Sequence, residues 1–162
     1  MSGRTMRAAV LHAPGDLRIE RVPVPAIGPD DALVRVSACG ICGSDVPRVR
    51  TTGTYRFPTI PGHEMAGVVE ELGPEAASTR AGLRPGTPVA VVPLVPCGRC
   101  RFCLAGDPNF CETLRFVSSP PYPGALQEYL AHPASFLLPV PPDWSPATTA
   151  IWRRCTSRFC CA

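Results

Sequence analysis

The chain has 162 residues, 45% hydrophobic and 18% charged, which suits one globular domain with its own core and excludes a disordered chain. Its 21 prolines and 14 glycines exclude a helical bundle and favour a turn-rich β fold. The net charge of +3 comes wholly from Arg153, Arg154 and Arg158, because residues 1–150 hold 13 arginines against 13 acidic residues; a neutral body with a small basic tail is no nucleic-acid footprint.

Residues 6–12 and 17–22 read as two strands around the turn Ala13-Pro14-Gly15-Asp16. Residues 31–38, with Leu33, Val34 and Val36, read as a third. Residues 44–49 suit a short helix with Ser44 or Asp45 near its cap. Residues 66–72 read as a strand ending at Gly73-Pro74, and the turn 84–87 feeds another over 89–92. A cysteine-rich loop follows over 97–111, then two more strands over 125–131 and 136–140. Asp143 and Ser145-Pro146 mark a helix start. Short strands punctuated by turns predict a sandwich or barrel. The longest apolar run, 89–96, holds two prolines and is too short to span a membrane. The run 8–11 is too short for the core of a signal peptide, so the expected compartment is the cytoplasm.

Nine cysteines are many for such a compartment, where clustered cysteines usually bind metal. Cys97, Cys100, Cys103 and Cys111 follow C-x2-C-x2-C-x7-C. Two-residue gaps turn successive thiolates toward one ion, and the loop returns the fourth. Four thiolates fill a tetrahedral shell, which predicts a closed structural zinc site. An iron–sulfur cluster ranks below zinc, because the C-x2-C-x2-C-x3-C-P run is missing. A second constellation is Cys42-Gly43-Ser44-Asp45, followed 21 residues after Cys42 by His63-Glu64. Cysteine, histidine and carboxylate together are zinc ligands of the catalytic type, which keeps a position open. Ser44 could relay a proton from a bound alcohol, and Asp45 could accept the other ring N–H of His63.

Gly40 to Asp45, Pro61-Gly62-His63-Glu64 with Gly67, and the four-cysteine loop together resemble the zinc-dependent medium-chain alcohol/polyol dehydrogenases. The 42–48 and 92–97 stretches look most like the sorbitol, threonine and galactitol-phosphate dehydrogenase branch. The resemblance covers residues 6–150. It implies a mainly β fold, a GroES-like, partly open β-barrel with short helices and a zinc-binding loop. In the family this catalytic domain is normally followed by a Rossmann domain that binds NAD(P). It implies Cys42 and His63 as catalytic zinc ligands, Glu64 as a transient one, Ser44 as the proton relay, and Cys97, Cys100, Cys103 and Cys111 as structural zinc ligands. Cys39 matches no ligand and reads as packing. The implied reaction is oxidation of a small-molecule alcohol or polyol, with hydride passing to NAD(P). Family members often pair through the cofactor domain, so the intact family can form homo-oligomers.

Two family features are missing. No G-x-G occurs anywhere, so the Rossmann domain is absent from these 162 residues. The remaining catalytic zinc ligand of the polyol branch is a glutamate well past the last structural cysteine, and no acidic residue follows Asp143 here. Residues 151–162 look foreign to the family. Three cysteines, Cys155, Cys160 and Cys161, and three arginines stand there without Asp, Glu, Gly or Pro. A frameshift near Ala150 accounts for this: with GC-rich codons the tail re-reads as a helix-like segment carrying a glutamate. Resequencing the gene tests that hypothesis; an in-frame tail with no cofactor domain downstream would sink it. The expected product is then a truncated catalytic domain with little or no turnover. The alternative is a free-standing zinc-binding or interaction module, which leaves Cys42, Ser44, His63 and Glu64 unexplained.

Overall fold

The computed structural model describes the backbone of residues 3–156 and the side chains of residues 3–151. The first two strands form an antiparallel hairpin, β1 (Thr5–Ala13) and β2 (Asp16–Pro23), closed at Gly15 with φ +82°. Along β1, Met6, Ala8 and Val10 alternate inward and are buried, the period-2 pattern of a half-buried strand.

The main sheet has five antiparallel strands in the order β8-β3-β4-β5-β9: β3 is Asp31–Gly40, β4 Glu64–Leu72, β5 Pro88–Val91, β8 Tyr129–Pro133 and β9 Leu137–Pro139. Between these, β6 (Leu94–Val95) and β7 (Arg115–Phe116) pair as the neck of a lobe that carries the cysteine loop. The hairpin is tied to the segments that flank the sheet by isolated bonds: Ala9 donates to Leu126, Glu128 donates to Arg7, and Leu11 exchanges bonds with Thr59. This mixture of ladder and isolated bridges makes the barrel partly open.

The core gathers Val34, Met65, Val69, Val89, Val91, Leu130 and Leu137, all buried; sequestering each such side chain is worth roughly 1.5–3 kcal/mol. Gly67 lets β4 approach β3: a Cβ there would lie 2.4 Å from the Arg35 carbonyl oxygen.

Several expectations are corrected in detail. The strand expected over 125–131 begins only at Tyr129. Residues 124–126 donate their amides instead to Ile60, Gly62 and Pro61, which tie them to the loop before His63. The helix expected over 44–49 runs as α1 (Asp45–Pro47) and then opens into a π-helical turn, Arg48–Thr52. Gly73-Pro74 ends β4 as expected, yet Pro74 also starts α2 (Pro74–Thr79), the first-position use of proline that the sequence reading passed over. The cysteine loop holds a short α3 (Arg101–Leu104).

The final helix, α4 (Pro146–Thr156), starts where Ser145-Pro146 predicts. Ser145 Oγ accepts the Thr148 amide at 3.1 Å, a side-chain cap. Thr149 and Ala150 are buried where α4 packs across β3, β4 and β5. The readings of Cys155, Cys160 and Cys161, and of a frameshifted tail, fall outside the described side chains. Among the described residues no helix is long and apolar enough to cross a membrane.

Candidate metal centres

The lobe brings the four predicted cysteines together. Cys97, Cys100, Cys103 and Cys111 place their Sγ atoms within 4.8 Å of one another. Cys97 and Cys103 are 4.0 Å apart, and Cys100 and Cys103 3.5 Å. A tetrahedron of sulfurs at about 2.3 Å from a central zinc has edges of about 3.8 Å, so these spacings bracket the ideal. The electrostatics agree. Backbone amides of Arg99 and Cys100 pull the Cys97 thiol down to about 6. Desolvation and the neighbouring thiol of Cys100 push Cys103 up to about 12. One thiolate is favoured and the next resisted, so a cation would be needed to hold Cys97 and Cys103 ionised together. Gly98, with φ +71°, makes the turn between the first two cysteines.

The second set sits where β3 ends and β4 begins. Cys42 Sγ, a ring nitrogen of His63 and a carboxylate oxygen of Glu64 lie within 4.8 Å of one another. Two glycines permit this. A Cβ on Gly40 would strike Glu64 Oε2 at 2.6 Å, and one on Gly62 would strike Cys39 Sγ at 2.8 Å. Gly62 also takes φ +98°, the left-handed region, immediately before His63.

Asp45, at the head of α1, is 2% exposed. Its Oδ2 accepts the Cys42 amide at 3.0 Å, while Oδ1 faces His63 Nδ1 at 3.4 Å. At that distance neither Oδ1 nor Nδ1 has an aligned hydrogen-bond partner, although both are buried. Burial opposes the charge on both groups, but each stabilises the other. Asp45 is held below the usual carboxylate range by His63, the Cys42 amide and Arg48, and His63 is raised by Asp45 and Cys42. Burial raises Cys42, yet donation from the hydroxyl and amide of Ser44 and from His63 outweighs it and favours the thiolate. This set has the chemistry of a zinc site: a thiolate, an imidazole backed by a carboxylate, and a nearby second carboxylate.

Thus every site residue read from the sequence joins one of two clusters or flanks one. Cys39 belongs to neither; it packs against the core, and burial pushes its thiol up to about 12. Two neighbours escaped the sequence reading. Phe116, on β7, sets its ring 5.2 Å from the His63 ring and so joins the lobe to the second cluster. Arg48 lies within electrostatic reach of Asp45. No motif marks Phe116; Arg48 follows the recognised Cys42–Asp45 run, which was its one signal.

A profile described as "Alcohol dehydrogenase GroES-like domain" matches residues 28–142. The chain belongs to this family. The sorbitol dehydrogenase of Bombyx mori is 42% identical to the GroES-like chain over 139 residues, which is 83% of this chain and 38% of that protein. The crystal structure of galactitol-1-phosphate dehydrogenase from Escherichia coli superposes with a TM-score of 0.83 at 31% identity, covering 90% of this chain and 41% of that one. A cobalt- and zinc-bound thermostable alcohol dehydrogenase from Pyrobaculum aerophilum superposes with a TM-score of 0.74 at 32% identity, covering 91% of this chain and 44% of that one. The GroES-like chain therefore spans about two-fifths of the length of these relatives.

Proposed function

We propose that residues 6–150 are the catalytic domain of a zinc-dependent, NAD(P)-linked alcohol or polyol dehydrogenase. The carrying observation is the convergence of Cys42, His63 and Glu64 with the buried Asp45 carboxylate 3.4 Å behind His63. The module alternative needs the four-cysteine lobe alone and gives no reason for that second cluster. Polyol substrates are supported by the likeness to sorbitol and galactitol-1-phosphate dehydrogenases.

Cys42 and His63 hold the catalytic ion, with Glu64 close enough to join them; Cys97, Cys100, Cys103 and Cys111 hold the structural one. When bound, the catalytic zinc polarises an alcohol oxygen and lowers its pKa. Asp45 Oδ1, 3.4 Å from His63 Nδ1, holds the ring electrostatically from that side and would leave Nε2 for the metal. Ser44 is exposed beside Cys42 and takes the substrate hydroxyl proton to solvent. Phe116 packs its ring against the His63 ring and so supports its position. A nicotinamide cofactor would supply the hydride acceptor. The six described cysteines are all free thiols, which suits a reducing compartment and supports the cytoplasm.

Cobalt substitution tests this reading. The cobalt-loaded chain should show thiolate-to-metal absorption from both sites, and sorbitol should perturb only the part that His63→Ala removes. A spectrum indifferent to polyol, or unchanged by His63→Ala, would contradict it.

A further inference from the structure

The second strand of the hairpin, β2, is an edge. Among the described residues β1 lies on one side of it and no strand on the other. The bonds of β1 show which groups of β2 are left over. Arg7, Ala9 and Leu11 turn their backbone away from β2: Arg7 accepts from Glu128, Ala9 donates to Leu126, and Leu11 exchanges bonds with Thr59. Antiparallel ladders alternate, so Met6, Ala8 and Val10 are the residues that bond to β2, opposite Val22, Glu20 and Arg18. Leu17, Ile19 and Arg21 therefore aim their N–H and C=O groups at the outer side, where no ladder among the described residues receives them. Their side chains share one face. Leu17 is 42% and Ile19 73% exposed, two large apolar side chains on an uncovered strand. Edges are commonly blocked by a proline or a bulge. Here Pro23 stands only at the far end of β2 and the register irregularity only at the turn, so the stretch 17–21 carries neither.

We propose that this edge pairs with the same edge of a second copy of the chain, antiparallel about a two-fold axis at Ile19, so that the two hairpins join into one continuous sheet. The charges set the register. About Ile19, Arg18 faces Glu20 of the second copy and Glu20 faces Arg18 of the second copy, while Leu17 lies under the apolar stem of the opposing Arg21 and Ile19 meets Ile19. Every outward N–H and C=O of residues 17, 19 and 21 then has a partner across the axis. The neighbouring registers that keep those groups facing bring Arg18 opposite Arg18 or Glu20 opposite Glu20, and like charges directly opposite are destabilising. Arg18 is already held by Asp16 through two bonds of 2.7 Å, and Glu20 by His12 at 2.7 Å. The pairs between copies extend these into a row of alternating partners, Asp16, Arg18, Glu20 and His12. A surface that matches itself closes as a dimer and leaves no edge to recruit a third copy. One strand edge buries little area, so the dimer is weak and reversible. It uses the barrel rather than a cofactor domain, and it does not rest on the dehydrogenase reading.

Sedimentation velocity of the 162-residue chain, kept reduced and run over a dilution series, tests the pairing. The sedimentation coefficient should rise from monomer to dimer with concentration and fall back on dilution. Ile19→Pro removes an N–H that the hairpin does not use, so the fold should persist and the dimer should vanish. Arg18→Glu and Glu20→Arg each bring like charges together twice across the axis, and each should weaken the dimer by about ten-fold or more. The double variant Arg18→Glu/Glu20→Arg restores opposite charges in the reverse sense and should recover the dimer to within about three-fold of the original. Circular dichroism checks that each variant is folded, and the rescue separates lost pairing from lost fold, because a chain unfolded by either substitution is not refolded by both. A chain that stays monomeric across the series overturns the proposal. A dimer that Ile19→Pro leaves intact, or a loss that the double variant fails to repair, also overturns it, since the contact would then lie on another face.

Discussion

The carboxylate of Asp45 faces the Cys42 amide on one side and the His63 ring on the other, so it links two proposed ligands of one ion. Asp45→Asn keeps the shape and removes the charge. It is expected to weaken zinc at that cluster by roughly 10–100-fold while the four-cysteine site stays filled, as competition with a chelator would report. Equal retention of both ions would contradict the role given to Asp45. A second prediction concerns His132, which is 3% exposed and donates from Nε2 to the Val92 carbonyl at 2.9 Å. Burial, with Arg115 nearby, lowers it from 6.5 to about 4. Between these values the unfolded chain binds the proton and the folded chain does not. The stability is therefore complete above pH 6.5 and is lost as pH falls toward 4, by an amount on the order of 3 kcal/mol. Urea melts from neutral to acid pH should show this slope, and His132→Gln should flatten it; equal slopes would refute the assignment. Much of this scale was legible, because ligand spacing is a local property: Cys42, His63 and the four lobe cysteines could be read off directly. Phe116 against His63 could not, since that contact depends on where the lobe folds back.

Elements position those residues through close backbone approach. Gly67 is the tightest case within the five-stranded sheet, with the Arg35 carbonyl oxygen 2.4 Å and Val34 Cγ1 2.6 Å from where a Cβ would stand. Gly67→Ala must force β3 and β4 apart in the centre of the sheet. The expected cost is roughly 3 kcal/mol, a fall in Tm of roughly 10 °C by thermal melting; an unchanged Tm would show that the sheet relaxes around the methyl. The strands over 6–12, 17–22, 31–38 and 66–72 were readable because each alternates or buries a clear apolar run between turn residues. Residues 125–128 were misread for a physical reason. Their apolar pattern suits a strand, yet their amides bond to the 60–62 loop and to β1 rather than to a neighbouring ladder, and a pattern of side chains says nothing about which backbone the amides reach. The π-helical turn after α1 was equally hidden, since Pro47 disturbs a helix without specifying what replaces it.

At the scale of the molecule, a partly open barrel carries one closed metal lobe and one open cluster, joined by β7 through Phe116. Structural ions contribute directly to folding, so stripping the lobe should loosen residues 97–111 before the five-stranded sheet, which hydrogen exchange would resolve as earlier loss of protection in the lobe. Simultaneous loss throughout would mean that the lobe and the barrel unfold as one unit. The fold class was legible from short strands and turns together with the metal motifs; the strand order was not, because β8 pairs with β3 across roughly a hundred residues of chain. Two distinct zinc sites underlie the proposed chemistry, and the metal content of the purified chain tests them most directly. Two zinc ions per chain are expected, one left after His63→Ala and one left after Cys97→Ser. A single zinc that survives His63→Ala and disappears with Cys97→Ser would contradict the catalytic centre and leave a zinc-lobed barrel without the dehydrogenase chemistry.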